Sequence, residues 1–288
     1  MTNTKKTVVY AVYIISVAVF FVYYLFPADT LKQYITFNLS NADPDLNIVI
    51  DDIKFSFPSG LALHDVSIGY LRNSLLFTEY IKITPGFFSF FRSKPVFFFK
   101  SKVCEGTLKG KIDITGKGST RRIVIDADMA DIRIKDIPVL RDLTGRNISG
   151  ILDGKIRYDS HRGGGTAKTE FVLSACAIEL LKPVFNRKAF AFKNIKADIE
   201  GNNKRVRIKK CDIKGDQMDG RVSGFITIKR PYEKSLLSLK GTIRPQPLFV
   251  AGLGKDFPMA SLLKDKFSRN GIHFDINGTL DSPRFSLK

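Results

Sequence analysis

The stretch Gly106-Thr-Leu108-Lys-Gly110-Lys-Ile112-Asp-Ile114 alternates apolar side chains with charged ones, and this pattern decides the fold. Successive side chains of a β-strand point to opposite faces, so one face of this strand is apolar and the other is charged. The same glycine spacing recurs from Gly150 to Tyr158 and from Gly220 to Ile228. The pattern favours a repeated strand in which paired glycines allow a bend or a close approach; the alternative is coincidence in a glycine-rich β protein. The candidate bend glycines are Gly106, Gly110, Gly150, Gly154, Gly220 and Gly224.

Period-two alternation continues from residue 48 almost to residue 288, and no βαβ series interrupts it. The sequence therefore predicts a mainly β, antiparallel domain over residues 48–288. We expect short helices only at Pro85–Phe91, Pro138–Leu143 and Leu248–Phe267, beside prolines. One face of the strands suits an apolar environment, which is either a closed core or an open groove. The residues predicted to line that face are Phe55, Leu63, Ile68, Ile112, Ile156 and Ile226.

The N-terminal segment contains an uncharged run from Val8 to Phe26, which is long enough as a helix to cross a bilayer. A cleaved signal peptide is the alternative, but the run lacks a small-residue cleavage site at its end. Lys5 and Lys6 precede the run, so the positive-inside rule predicts a cytoplasmic segment 1–7 and export of the rest. We expect a transmembrane helix over 8–26 and an amphipathic juxtamembrane helix over 28–41.

The composition is strongly basic. The chain has 288 residues, 46 Lys and Arg against 28 Asp and Glu, and a formal net charge of +18. Such a charge commonly indicates nucleic-acid binding, but the predicted anchor places the basic domain across the membrane from nucleic acid. Anionic lipid or an acidic protein fits that location better, and a merely solvated basic surface is the third interpretation.

No catalytic motif is present in the sequence. Cys104, Cys176 and Cys211 lie in predicted strands without metal-ligand spacing, and oxidation of the pair Cys176 and Cys211 is left open. The carboxylates Asp51, Asp52, Asp126 and Asp128 are candidates for catalysis, but solvated strand or turn positions are the favoured interpretation. Residues 162–169 have the composition of a phosphate-binding loop without its lysine spacing or helix, so we expect a hairpin tip. We predict that the protein is not an enzyme and that it has no cofactor and no metal site.

The order of several short motifs resembles that of type II secretion system protein N (GspN), a family related to the AsmA-like proteins of the bacterial envelope. These motifs are Phe26-Pro27 after the span, Ile50-Asp-Asp-Ile53 to Phe57, Pro58-Ser-Gly60-Leu, Asp65-Val66, Ile83-Thr-Pro85 to Lys94-Pro95, Ile137-Pro-Val-Leu140 to Ile148-Ser-Gly150, and Ile276-Asn-Gly278-Thr-Leu280 to Phe285. The resemblance implies a single-pass protein of the bacterial inner membrane with a β-rich periplasmic domain. It also implies an AsmA-like architecture, a long curved sheet with an apolar groove.

Two functions follow from the resemblance and the alternation together. The first is a structural, non-enzymatic accessory component of a type II secretion system, with the inner membrane and other secretion proteins as partners. The alternative is a lipid-binding or lipid-transfer module that shields acyl chains in an apolar groove between the inner and outer membranes, with anionic lipid as its partner.

Overall fold

The computed structural model describes residues 2–42, 46–56, 60–70, 73–86, 95–116, 120–161, 164–184, 187–246 and 271–287. Within these ranges the chain has fourteen strands, and the strands of each compact unit pair antiparallel in the order of the sequence. The prediction of a mainly β, antiparallel chain is therefore confirmed. The chain divides into two compact units, Met1–Pro85 and Gly86–Lys288, which we describe separately.

The first unit begins with two helices, α1 (Thr2–Tyr24) and α2 (Ala28–Ala42). Pro27 separates them, and Asp29 in the first turn of α2 is well placed to interact with the positive end of the helix dipole. None of the helices in the described ranges combines the length and the apolar character needed to cross a membrane. A helix was predicted over 28–41, where α2 lies, and its position beside a membrane stays a prediction.

Three strands complete this unit: β1 (Leu46–Ser56), β2 (Gly60–Tyr70) and β3 (Asn73–Pro85). Their core is a cluster of Ile50, Ile53, Leu63 and Val66, and α2 packs on it through Leu31 and Ile35. The Lys32 ammonium also donates a hydrogen bond of 2.7 Å to the backbone carbonyl of Asp51. The apolar side of β1 and β2 is therefore a closed core.

The second unit contains eleven strands in its described ranges, each antiparallel to the next: β4 (Val96–Val103), β5 (Gly106–Thr115), β6 (Arg122–Arg133), β7 (Ile148–Asp159), β8 (Thr166–Val184), β9 (Arg187–Asn202), β10 (Arg205–Lys214), β11 (Met218–Thr227), β12 (Leu236–Pro245), β13 (Ile272–Thr279) and β14 (Pro283–Leu287). Most of these connections are short, because antiparallel neighbours need only a turn between them, whereas the connections after β6 and β12 are longer. This antiparallel arrangement agrees with the sequence, which contains no βαβ series.

Few helical turns interrupt these strands. A 3-10 helix spans Ile134–Asp136, and α3 follows at Pro138–Thr144, where we predicted a helix over Pro138–Leu143. Pro138 suits the first turn of a helix, and α3 ends at Gly145, whose left-handed φ of 61° allows its N–H to bond the Arg141 carbonyl. The helices expected at Pro85–Phe91 and Leu248–Phe267 lie almost entirely outside the described residues.

The three glycine repeats occupy β5, β7 and β11, strands that run in the same direction. A Cβ atom added at Gly110 would lie 2.1 Å from the Asp126 carbonyl oxygen, and one at Gly224 would lie 2.3 Å from that of Ser238. Gly224 also has a φ of +142°, which side chains rarely allow. Gly220 differs, because its nearest neighbour would be 3.6 Å away. A Cβ atom added at Gly106 or at Gly154 would also collide with backbone atoms of the neighbouring strand. Gly150 has a φ of +148°, which side chains rarely allow. Close approach of strands therefore explains most of these glycines, whereas a bend stays a prediction.

We expect Gly224→Ala to destabilise the protein by about 2 kcal/mol, because it combines a strained φ with a backbone collision. The melting temperature, measured by circular dichroism in detergent, should fall by roughly 4–8 °C. Gly220→Ala is the matched control on the same strand and should change it by less than about 2 °C. Equal melting temperatures for the two variants would contradict this account of the repeats.

Candidate functional site

The strand registers of the second unit assign its side chains to two faces. Residues directly opposite one another on paired antiparallel strands lie on the same face, so a row can be followed from strand to strand. One row consists of Phe97, Ile112, Ile125, Tyr158, Ala167, Gly201, Val206, Ile226, Leu237 and Gly278. The row beside it consists of Phe99, Gly110, Ala127, Ile156, Thr169, Ile199, Ile208, Gly224, Leu239 and Ile276. We call the surface formed by these two rows the apolar face.

The apolar face is only partly withdrawn from solvent. Ala127 and Leu237 are buried, at 8% and 9% exposure, whereas most of the aliphatic side chains around them are half-buried. The core of the first unit is tighter, with Ile50 and Ile53 each exposed by only 2%. Half-buried aliphatic side chains in continuous rows leave apolar area that a ligand can bury.

Helical packing on this face is local. The 3-10 helix Ile134–Asp136 packs on β7, and α3 packs on that 3-10 helix. Together they contribute to a small core that contains Ile134, Leu173 and Cys176 near the far ends of β6 to β9. No other helix in the described part of this unit packs on the strands to a similar extent. Among the described residues, the two rows of the apolar face are thus lined mainly by their own strands.

The six predicted lining residues divide between the two units. Ile112, Ile156 and Ile226 lie on the apolar face, one on each of the strands that carry a glycine repeat. Leu63 belongs to the closed core beneath α2, Ile68 packs against that core, and the ring of Phe55 lies 6.0 Å from that of Phe26. We therefore restrict the candidate site to the apolar face of the second unit. Whether these residues contact a ligand stays a prediction.

The opposite face carries complementary charges on neighbouring strands. The Asp126 carboxylate lies between Lys111 at 3.6 Å and Arg157 at 3.5 Å. Lys210 and Arg221 hold the Asp212 carboxylate at 2.6 Å and 3.0 Å. Hydrogen bonds from these two cations lower the pKa of Asp212 below its ordinary value. Such exposed pairs stabilise a sheet weakly, at about 0–1 kcal/mol each, but they keep this face hydrated. The sheet is thus amphipathic.

The candidate catalytic and redox residues occupy ordinary structural positions. The Asp52 carboxylate pairs with Lys54 at 3.0 Å, and Asp126 belongs to the ion pairs above. Cys176 lies opposite Phe192, whereas Cys211 lies opposite Ala197, and both are free thiols. Among the residues with described positions, no group of three His, Cys, Asp or Glu side chains is arranged to hold a metal ion.

One detail differs from what the sequence predicted, and a second agrees with it. Cys104 lies in the turn between β4 and β5 rather than in a strand, and its thiol contacts the Asp136 carbonyl at 3.4 Å. The loop with the composition of a phosphate-binding site connects β7 to β8, and no helix follows it, as we expected for a hairpin tip. Residues 162 and 163 of that loop lie outside the described residues.

The six predicted lining residues include only part of the apolar face. Ile199, Ile208, Leu239 and Ile276 line it as well, and the alternation in their own strands was the signal that could have identified them. Changes of face within a strand were harder to foresee. In β6, for example, Met129 and Ile132 are three residues apart yet both face inward, because a bulge with Asp131 at a φ of 58° lies between them.

Comparisons with known proteins do not identify a relative. No protein family matches the chain, and no curated protein and no solved structure is significantly similar to it.

Proposed function

We propose that this protein binds lipid by shielding acyl chains on the apolar face of its second unit. The observation that supports the proposal most strongly is the pair of continuous apolar rows, whose aliphatic side chains are only half-buried. An acyl chain laid along such a face gains about 0.8 kcal/mol for each methylene group that it buries. A dozen methylene groups are therefore enough for firm binding without any specific polar contact.

We further propose that the chain is a bitopic protein of the bacterial inner membrane, anchored by Val8–Phe26, with its β strands in the periplasm. The support is the uncharged run behind Lys5 and Lys6 in the sequence. Large apolar side chains of α1 are also highly exposed, for example Val9 at 66% and Ile14 at 64%. Exposed apolar side chains in such numbers suit a lipid environment better than water.

An accessory role in type II secretion remains the prediction of the family resemblance. Lipid shielding on an AsmA-like curved sheet is compatible with such a role, and it involves no catalytic residue. The geometry of the described residues favours lipid as the ligand, because the apolar face has no charged side chain in its two rows.

We expect phospholipid to co-purify with the detergent-solubilised protein and to be detected by extraction and mass spectrometry. Ile226→Asp should lower the amount of lipid per protein by about tenfold or more, because an acyl chain cannot solvate a carboxylate. Its melting temperature should change little, since Ile226 is half-buried. Ser223→Asp, on the opposite face of the same strand and directly across from Lys240, is the matched control and should retain the lipid. Absence of lipid from the wild-type protein, together with unfolding of Ile226→Asp, would show that the face is a closed core.

The topology is tested by alkaline phosphatase, which is active only after export, fused behind Lys288. We expect an active fusion and an uncleaved N-terminus, because the positive flank retains Lys5 and Lys6 in the cytoplasm. Replacing both lysines with glutamate should reduce the phosphatase activity, whereas Lys32→Glu, beyond the span, should not. An inactive wild-type fusion, or a mature chain that begins near residue 28, would refute the proposed anchor.

A further inference from the structure

The apolar surface of β7, β8 and β9 continues beyond the two rows of the apolar face. Leu152, Leu173 and Ile195 lie opposite one another on these strands. Each is four positions along its strand from a member of the second row, and an even spacing places side chains on the same face. The separation along the strands is about 13 Å. We call these three residues the far row.

A short helical segment covers the far row. It consists of the 3-10 helix and α3, residues 134–144, and we call it the helical cap. Ile134 of the cap is 5% exposed and forms one buried cluster with Leu173, at 9%, and Cys176, at 1%. Ile137 and Leu140 of the cap pack on the same cluster. The far row therefore belongs to a closed core.

Hydrogen bonds hold the helical cap on both sides. Before it, the Arg133 N–H donates to the Cys104 carbonyl at 3.1 Å, and the Cys104 thiol donates to the Asp136 carbonyl at 3.4 Å. After it, the Asn147 side-chain amide donates to the Glu179 carboxylate at 2.8 Å. The Glu179 N–H donates in return to the Asn147 carbonyl at 3.0 Å. Bonds on both sides favour a fixed cover over a lid that opens.

The cover gives the apolar surface of these strands a boundary. Ile156 and Ile199, in the second row, are half-buried, so an acyl chain laid on them buries further apolar area. An acyl chain that continued to the far row would have to displace Ile137 and Leu140 from their core. That exchange exposes two apolar side chains to water while it buries the ligand, and it therefore brings little net gain.

We propose that the helical cap is a stop, which confines acyl chains to the two rows of the apolar face and excludes them from the far row. Leu140 is the positioning residue that maintains this boundary, because it packs on the cluster from α3. The proposal rests on the proposed lipid-binding function and states where on the second unit the lipid ends.

The experiment maps the lipid on the full-length, detergent-solubilised chain. The probe is phosphatidylglycerol with a photoreactive diazirine in the middle of one acyl chain, which labels the residues that the chain contacts. Fragment mass spectra of the digested protein then locate each adduct. In the wild type we expect adducts at Ile156 and Ile199 to exceed those at Leu152, Leu173 and Ile195 by about tenfold or more, since a packed core leaves no room for a ligand.

Removal of one side chain tests the role of the helical cap. Leu140→Ser should raise the adducts at Leu173 and Ile195 by about fivefold, because it leaves a cavity beside the far row. The matched control is Val139→Ser, at the neighbouring position of α3 and outside the described cluster, which should keep the wild-type map. Circular dichroism checks that both variants are folded. If Leu140→Ser is unfolded, Leu140→Ala takes its place and should change the map in the same direction.

The possible failures are distinguishable. Equal labelling of the far row and of Ile156 in the wild type would overturn the stop and leave lipid binding intact. An unchanged map in the folded Leu140 variant, or the same change in Val139→Ser, would also overturn it. A wild-type protein without adducts on either part of the second unit would refute the proposed function, and the stop with it.

Discussion

Cross-strand register is the constraint on which the rest of this structure depends. In the second unit each strand pairs with its successor, so the side chains of one row point to the same face over ten consecutive strands, from β4 to β13. A shift of one residue between two strands would transfer every side chain of a strand to the other face. Lys111 would then lie among isoleucines, and Ile112 would lie among ion pairs. The sheet is therefore amphipathic only in this register. A shifted register is less stable, because it would place charged side chains on the apolar face and apolar side chains on the charged face.

Helix packing distinguishes the closed core of the first unit from the half-buried apolar face described in the second unit. In the first unit α2 supplies Leu31 and Ile35 to the apolar side of β1 and β2, which closes it. In the described part of the second unit the 3-10 helix Ile134–Asp136 and α3 are short and pack near the far ends of β6 to β9. The aliphatic side chains on the rest of the apolar face are half-buried by their neighbours in the sheet. Lipid would complete the packing that helices provide in the first unit.

The alternation in the sequence was sufficient to predict the strands, because it reflects directly the two faces of a sheet. It also placed Ile112, Ile156 and Ile226 on one face, since each follows a glycine pair at the same spacing. The alternation could not show that Leu63, unlike these three isoleucines, lies in a closed core, because that difference depends on the packing of α2.

Site-specific photo-crosslinking to lipid in living cells tests the central claim most directly. A photoreactive residue would replace, one at a time, the neighbours Lys155 and Ile156 on β7 and the neighbours Arg207 and Ile208 on β10. Each pair differs by one position along its strand, so its members point to opposite faces of the sheet. Our account predicts phospholipid adducts at positions 156 and 208 and none at positions 155 and 207. Adducts at all four positions, or at none of them, would contradict it.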